Sequence, residues 1–386
     1  MKKVKWLTIG IVICVMVLGF ALSGCAAPAE ETAAATTAAP ETTAAETAAA
    51  TTAAEETAAA VETVDPATAQ FAFVLHVAIP FTESIRRGAL NAGTDYGITN
   101  MEVVAPSAMD TAEQIGLFTA EVAKGCVGIS LVAAEAAAWN VPINDAVDKG
   151  IIVNTGNCAA PDSKQSLYVG ISGYMDGLAL GEAIMNNPDT PKKGKIVLAS
   201  CKPGLPVLDG RTTGVMEVLS KNPDYEIIGP LDSGLSPEAT YSFWESAYAA
   251  NPDMVMAVGS CAFDLPALYK FKQKNTDATF ACVSYDLEPD ALAGIKEGLL
   301  TIACGQGPYL QGYVPMAAIF EHLVLGNPLT EGWFNPGEEI VTKENVDVFI
   351  KRELDVEAEY EWYKDYMDTN LKPFWENAQP MSEYVP

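Results

Sequence analysis

From about residue 70 onward, short apolar runs alternate with longer segments in which apolar residues recur every three or four positions. The first pattern is typical of buried strands and the second of amphipathic helices. In the first half of this region, strands are predicted at residues 71–79, 101–105, 127–132 and 150–153, with helices at 82–96, 110–125 and 137–149. Strands and helices that alternate with short connections predict a parallel sheet covered by helices on both faces.

The same alternation starts again after residues 168–170. Strands are predicted at residues 195–200, 225–228, 254–258, 280–285 and 299–304, and helices at 174–185, 208–220, 237–250, 263–274 and 289–298. Two successive α/β units of similar size predict two lobes. An eight-fold α/β barrel is the second choice, because it would require one uniform repeat without the break around residues 170–175.

Two polar residues follow directly after predicted strands of the second unit. Asp286 comes after the strand at residues 280–285, and Gln306 comes after the strand at residues 299–304. In an open parallel sheet, ligands bind in the crevice beyond the carboxyl ends of the strands. We therefore expect Asp286 and Gln306 to lie beside a ligand-binding cleft.

The first 25 residues have the pattern of an export signal. Three lysines precede a continuous apolar run at residues 7–22, and small residues lead to Cys25. The placement of Cys25 resembles a bacterial lipobox, in which the signal is cleaved before the cysteine and its sulfur is lipidated. A transmembrane anchor is the alternative, but the run is shorter than the roughly 20 apolar residues that span a bilayer. Two acyl chains on Cys25 would anchor the protein to the membrane stably.

Residues 26–69 consist largely of Ala, Thr, Glu and Pro. A segment with so few large apolar side chains cannot offset its loss of conformational entropy by burial. The glutamates keep such a chain extended and soluble. We expect a disordered tether that holds the folded body near a membrane surface.

The formal net charge of −27 excludes a nucleic-acid-binding surface, because there is no basic stripe to neutralise phosphates. His76 and His322 cannot complete a zinc spacing, so we expect neither a metal nor another cofactor. The exported location permits a disulfide, but the spacing does not predict a pairing. Six cysteines remain after the signal and Cys25, none in a C-x-x-C pair: Cys126, Cys158, Cys201, Cys261, Cys282 and Cys304.

Enzymatic motifs are missing from the sequence. There is no G-x-S-x-G elbow and no H-E-x-x-H, and a glycosidase would have to use Asp286 with another carboxylate. We predict that the protein is not an enzyme.

Short motifs lie where the predicted strands meet helices: Pro80-Phe81, Arg211-x-x-Gly214, Ser284-Tyr285-Asp286 and Gln306-x-Pro308-x-x-x-Gly312-Tyr313. Over about residues 71–340, this set resembles the solute-binding proteins of ribose- and galactose-type ABC importers. That family has the type I periplasmic-binding fold, two α/β lobes joined by three hinge crossovers. The resemblance implies crossovers near Ser172, Gln306 and Pro336. It gives a first lobe of residues 70–172 plus 307–336, a second of 173–306 plus 337–350, and an extension at 351–386.

The resemblance also implies six ligand-binding residues. Phe81 would stack on a sugar ring, and the others would supply polar contacts: Asn157, Arg211, Ser260, Asp286 and Gln306. Other roles remain open for four of them. Phe81 could pack in the core, and Asp286 could cap the following helix. Arg211 could pair with a surface carboxylate such as Asp209, and Gln306 could be a hinge residue.

The chain departs from the family pattern within this site. Asn157 stands where an aspartate is common, Cys158 where an arginine follows, Ser260 where an asparagine is usual, and Thr82 where a second aromatic residue occurs. A cysteine cannot replace the guanidinium fork. These departures imply a modified sugar, a polyol, a nucleoside-like molecule or another small polar compound as the ligand.

These patterns together predict an extracytoplasmic, monomeric, lipid-anchored protein that binds a small polar solute and delivers it to an ABC permease. A sensory receptor of the same fold is the alternative, and the sequence does not separate the two. A transcription regulator of the same fold is excluded by the export signal and by the lack of an N-terminal helix-turn-helix.

Overall fold

The computed structural model of the chain describes residues 62–371 and 373–384. The predicted signal, Cys25 and residues 26–61 of the predicted tether lie outside the described residues. The last residues of the predicted tether, 62–69, contact the first lobe: the Val64 N–H donates to the Leu323 carbonyl at 2.8 Å. In the part of the chain that is described, no helix combines the length and apolarity needed to cross a membrane.

The first lobe is a six-stranded parallel sheet with the strand order β11-β5-β4-β3-β1-β2. Its strands are β1 (Gln70–Val74), β2 (Asn100–Val104), β3 (Cys126–Leu131), β4 (Ile152–Gly156), β5 (Leu167–Val169) and β11 (Gly332–Phe334). Its helices are α1 (Pro80–Asp95), α2 (Thr111–Lys124), α3 (Ala136–Val147) and α9 (Pro308–Leu323).

Alternate residues of β1 point to opposite faces of this sheet, as the pleat of a strand requires. Phe71 and Phe73 belong to a core that includes residues of α1 and α9. Ala72 and Val74 belong to a second core with residues of α2 and α3. The nearly continuous apolar run of β1 therefore reflects burial on both faces.

The second lobe contains another six-stranded sheet, with the order β12-β10-β9-β8-β6-β7, in which only the β10–β12 pair is antiparallel. Its strands are β6 (Gly194–Ser200), β7 (Tyr225–Asp232), β8 (Met254–Val258), β9 (Ala281–Tyr285), β10 (Ile302–Gly305) and β12 (Glu339–Val341). Its helices are α4 (Gly173–Asn186), α5 (Pro206–Leu219), α6 (Pro237–Ala250), α7 (Asp264–Lys274), α8 (Pro289–Lys296) and α10 (Val346–Arg352).

The second sheet is buried on both faces in the same way. Val197 of β6 packs in a core with Trp244 of α6 and Leu268 of α7. Ile196 points to the other face, where it packs with Leu180 of α4 and Val215 of α5. The predicted α/β fold of two parallel-sheet lobes is confirmed. The short strands β5, β11 and β12 were not predicted as strands.

The chain passes between the two sheets at three places: between β5 and α4 at residues 170–172, between β10 and α9 at 306–307, and between β11 and β12 at 335–338. The crossovers implied near Ser172, Gln306 and Pro336 lie in these segments. The carboxyl ends of β4, β9 and β10 are thus brought close to the crossings.

The C-terminal segment makes a further passage from the second lobe to the first. Helix α10 packs beside α8, and α11 (Val356–Tyr366) packs on the first lobe. Tyr363 of α11 stacks on Tyr309 of α9, with ring centroids 4.5 Å apart and planes 3° from parallel. Arg352, 2% exposed, pairs with Glu339 at 2.5 Å and lies over the ring of Tyr363. Residues beyond 350 therefore pack on the lobes.

Candidate ligand-binding site

A cleft of about 1540 Å³ lies between the lobes, lined by loops that follow the strands and by residues of α1 and of α5 to α8. The lining includes five of the six residues that the sequence predicted for the site: Phe81, Asn157, Arg211, Asp286 and Gln306. The sixth, Ser260, is fully buried and is not part of the lining.

Gln306 joins polar side chains of the two lobes at the base of the cleft. Its Nε2 donates to Asp286 Oδ1 at 2.6 Å, and its Oε1 accepts from Asn157 Nδ2 at 3.3 Å. Asn157 Nδ2 also donates to Gln311 Oε1 at 2.8 Å. Gln306 lies in the second crossing, so this network connects the end of β4, the end of β9 and the hinge.

The backbone conformation of two of these residues is unusual. Asn157 has a φ of 66° and Asp286 a φ of 73°, and they are the positive-φ residues other than glycine in the described chain. This left-handed region is sparsely populated, and Asn and Asp adopt it more readily than other residues. Each residue ends its strand sharply, and both side chains join the network at the cleft base.

Residues of the second lobe hold the Arg211 side chain in place. Its Nε donates to Asp176 Oδ2 at 2.8 Å, its Nη1 donates to the Ser260 carbonyl at 3.0 Å, and its guanidinium lies 4.0 Å above the Tyr285 ring. Close packing of α4 on α5 allows this geometry, because a Cβ on Gly177 would lie 2.3 Å from the Arg211 carbonyl. Nη2 of Arg211 is buried with no hydrogen-bond partner among the described residues, and it can therefore donate to a ligand oxygen.

Burial dominates the titration of the carboxyls around Arg211. It raises the pKa of Asp176 to about 7, against the attraction of Arg211 and the Cys304 thiol. It raises the pKa of Asp286 as well, while Arg211 and Gln306 act in the opposite direction. Burial also disfavours charge on Arg211, but Asp176 and Asp286 more than compensate and raise its pKa. The guanidinium thus remains charged, and burial opposes the charged form of the Asp176 and Asp286 carboxyls beside it.

Ser260 supports the site without lining it. Its carbonyl accepts from Arg211, and its hydroxyl accepts from the Cys201 N–H at 3.2 Å. This differs from the direct ligand contact that the resemblance implied. The reason is local: Asp264 Oδ2 accepts from the Ser260 N–H at 3.0 Å and from the Cys261 N–H at 3.2 Å, which holds the loop against α7.

A disulfide joins Cys201 and Cys261, and so links the loop after β6 to the loop after β8. With Asp264, these two residues form the group in the described chain whose atoms lie close enough to hold a metal. The sulfurs are joined to each other, and the Asp264 carboxylate also accepts from Trp244 Nε1 at 3.0 Å. The three residues therefore brace the cleft wall and do not fit a metal site.

Phe81 is half-buried at the start of α1 and lines the cleft, although it also packs against the first-lobe core. Thr82 takes a structural role: its Oγ1 donates to the Val77 carbonyl at 2.8 Å and accepts from the Ile79 N–H at 3.0 Å. A second aromatic side chain comes instead from the opposite lobe, where half-buried Phe263 lines the cleft.

His76 also lines the cleft, and the sequence reasoning missed it. It is 9% exposed, and its Nδ1 is buried without a hydrogen-bond partner in the described chain. Burial lowers the pKa of His76 to about 4, so the imidazole is neutral near pH 7. The sequence placed His76 inside a predicted strand at residues 71–79, whereas β1 ends at Val74, so its position beyond a strand end was not apparent.

Three other aromatic residues that could have added surface to the cleft lie in the cores. Trp139 packs edge-on against Phe118 with ring centroids 5.6 Å apart. Tyr309 stacks between Tyr313 and Tyr363 of the C-terminal helix, and Trp244 is buried in the second lobe.

Two lobes, three crossings and a cleft with polar groups from both lobes define a protein that clamps a small ligand. A family model described as a periplasmic binding protein domain matches residues 71–328, well over half of the chain. The chain therefore belongs to this family, as the resemblance predicted.

Among curated proteins, the chain is similar to the xylose/arabinose-binding protein XylF of Sulfolobus acidocaldarius. The two are 24% identical over 307 residues, which cover 73% of each. Solved structures with the same fold include a Burkholderia graminis ABC-transporter solute-binding protein in complex with D-arabinose. It has a TM-score of 0.67, 21% identity, and coverage of 73% of this chain and 98% of that one.

A glucose-galactose binding protein, GanP of Geobacillus stearothermophilus, has a TM-score of 0.62 and 21% identity, with coverage of 72% of this chain and 98% of that chain. At these identities, the structural matches show the fold alone.

Proposed function

We propose that this protein captures a small polar solute, a sugar or sugar derivative, between its lobes and delivers it to an ABC permease. The observation that carries the proposal is the convergence of Asn157, Asp286 and Gln306 in one cleft. Amides and carboxylates supply the paired donors and acceptors that adjacent hydroxyl groups need. The relatives named for xylose, arabinose, glucose and galactose support a sugar over other polar solutes.

A ligand that contacts both lobes binds the closed arrangement more tightly than an open one, and it shifts the population towards closure. Phe81 stacks on the apolar face of the sugar ring. Arg211 Nη2 and Asp286 bind its hydroxyls, and Ser260 positions Arg211 through its carbonyl. The work of the site is selection and closure without a chemical step, so the protein is not an enzyme.

A screen of sugars, polyols and nucleosides by thermal shift tests the function, because a ligand specific for the folded protein raises its melting temperature. We expect sugars to stabilise the protein and calorimetry to give one site per chain. Asp286→Ala and Arg211→Ala should each weaken binding by more than about 1–3 kcal/mol. The control Asp162→Ala changes an exposed carboxylate outside the cleft and should bind normally. Wild-type affinity in both cleft variants would remove these residues from the site.

The proposed location is outside the cytoplasm, with the monomer anchored through lipidated Cys25. Metabolic labelling with a fatty-acid analogue should mark the wild type, and Cys25→Ser should be released into the soluble fraction. The partner is tested by deleting the protein in its host. Loss of solute uptake supports delivery to a permease, whereas normal uptake with loss of a transcriptional response to the solute would identify a sensory receptor.

A further inference from the structure

A network of polar side chains lies at the base of the cleft, beside the crossings. There the Gln306 side chain bonds both Asn157 and Asp286, and Arg211 is held by the second lobe. These residues form one end of the cleft, and its volume of about 1540 Å³ extends well beyond them.

Away from the base, apolar side chains of both lobes line the cleft. The first lobe contributes Ile79, Met109 and Ala134. The second lobe contributes Leu205, Val207, Leu235 and Phe263. A free sugar carries hydroxyl groups around its whole ring. Those facing these side chains would lose water and gain no hydrogen-bond partner, which opposes binding.

Two of these residues are large and exposed, and they stand on opposite lobes. Met109, in the loop between β2 and α2, is 46% exposed, and Leu235, in the loop between β7 and α6, is 44% exposed. Single exposed apolar side chains are common on protein surfaces, but these two belong to one cleft lining with Ile79, Val207 and Phe263, and a larger exposed apolar surface marks a site that a ligand or partner covers. Their place in the cleft lining assigns that role to the ligand.

The cleft continues along the second lobe past Phe263 to the surfaces of α6 and α7. Pro237 and Tyr241 of α6 line this part, together with Pro266 and Lys270 of α7. Lys270 Nζ lies 5.3 Å from the centre of the Tyr241 ring.

Charged residues around the cleft are of both signs. The lining includes three basic residues and five acidic ones: Lys202, Arg211, Lys270, Glu135, Glu238, Asp286, Glu288 and Asp290. This mixture of charges gives no preference for a strongly charged ligand. The selective feature is therefore the set of apolar side chains that line the cleft.

We propose that the preferred ligand is a substituted sugar, in which an uncharged apolar or aromatic group is attached to the ring. The ring binds at the base, between Phe81 and the polar side chains of Arg211 and Asp286. The substituent lies against Met109, Leu235 and Phe263. This inference rests on the proposed function and specifies the class of sugar derivative.

Calorimetry with matched pairs of free and substituted sugars tests the inference. The pairs are D-xylose with phenyl β-D-xylopyranoside, D-galactose with phenyl β-D-galactopyranoside, and D-ribose with adenosine. Xylobiose adds a hydroxylated substituent as a polar counterpart. At least one apolar derivative should bind tenfold or more tightly than its free sugar, and xylobiose should not gain in this way. The pair that responds distinguishes an O-glycoside from a nucleoside.

Variants of Met109 and Leu235 test whether these two residues produce the gain in affinity for substituted sugars. Met109→Ser with Leu235→Ser should remove most of the tenfold gain and leave free-sugar affinity unchanged. The matched control is Met175→Ser with Leu325→Ser, which changes residues that are 42% and 57% exposed and lie outside the cleft lining. It should alter neither affinity.

Free sugars that bind as tightly as every derivative would overturn the inference and leave the proposed function standing. An equal loss for free and substituted sugars in the Met109/Leu235 variant would also overturn it. If no sugar in either form binds the folded protein, the proposed function fails and the inference fails with it.

Discussion

Asn157 and Asp286 occupy equivalent positions in the two lobes. Asn157 follows β4 and donates its N–H to the Val169 carbonyl of β5 at 2.9 Å, and Asp286 follows β9 and donates to the Cys304 carbonyl of β10 at 2.9 Å. Both have a left-handed backbone, and the Gln306 side chain contacts both. Each lobe thus contributes to the cleft base a polar residue with a left-handed backbone directly after a strand.

The left-handed backbone of Asp286 predicts that different substitutions there lower the stability of the protein by different amounts. Asparagine tolerates the left-handed backbone, whereas alanine would hold it at a cost of about 1–3 kcal/mol. We therefore expect Asp286→Asn to unfold in urea close to the wild type and Asp286→Ala to be less stable by about 1 kcal/mol or more. Asp286→Gly serves as the control without a Cβ. Equal stability of Asp286→Ala and Asp286→Gly would contradict the argument.

The buried pair of Asp176 and Arg211 predicts strong coupling between the two residues. Removing one partner leaves a buried charge uncompensated, at a cost of about 3–5 kcal/mol. Asp176→Ala and Arg211→Met should each be destabilised to this degree, and the double variant should lose much less than the sum of the two. Urea unfolding of all four proteins measures the coupling. Additive losses would show that the pair makes no net contribution.

The disulfide predicts sensitivity to reductant. The two cysteines are 60 residues apart, and closure of a loop of that length corresponds to about 4 kcal/mol of stability in the chain-entropy treatment. Reductant should lower the stability of the wild type by about 2–4 kcal/mol and weaken ligand binding, because Ser260 next to Cys261 holds Arg211. Cys201→Ser with Cys261→Ser should already show both losses and should not respond to reductant. A wild type that is unaffected by reductant would disprove this prediction.

The low pKa of His76 predicts that the protein loses stability in acid. Its pKa is about 4 in the folded protein because of burial, against an ordinary value of 6.5. Between these values the unfolded chain binds a proton and the folded chain does not, so this group lowers stability as the pH falls. The full effect is about 3 kcal/mol and is complete below pH 4.

Comparison of His76→Gln with the wild type isolates that effect. Burial raises the pKa of Asp176, Asp264 and Glu288, so these groups favour the folded state in acid and act with the opposite sign. They are present in both proteins and cancel in the difference. Unfolding at pH 7.5 and pH 4.5 should show a smaller acid loss for His76→Gln. A difference between the two proteins that does not change with pH would contradict the assignment.

The sequence predicted those parts of the fold that follow from local periodicity. Helices α1 to α8 and the strands of five or more residues were predicted, the strands because burial on both sheet faces requires continuous apolar runs. Helices α9 and α11 were given no bounds. Strands β5, β11 and β12 have three residues each, which is too short to show a period. Their pairing depends on neighbouring strands that are distant in the sequence.

The same distinction, between local sequence patterns and contacts of distant segments, separates the cleft residues that were predicted from those that were not. Asp286 and Gln306 were found because they directly follow apolar strands. Ser260 also follows a strand, but Asp264 turns its loop inward, and nothing in the local sequence signals that contact. His76 was considered only as a zinc ligand, and the partner of Cys201 depends on two loops that meet only in the folded protein.

The C-terminal segment has a consequence for the motion of the lobes. Helix α10 packs on the second lobe, and α11 is fixed to the first by the stacking of Tyr363 on Tyr309 and by the ion pair of buried Glu359 with partly exposed Arg87. Only the short stretch between Arg352 and Val356 separates the two helices. Any widening of the cleft must therefore bend that stretch or detach α11. The C-terminal segment thus limits the angle of lobe opening independently of the three crossings.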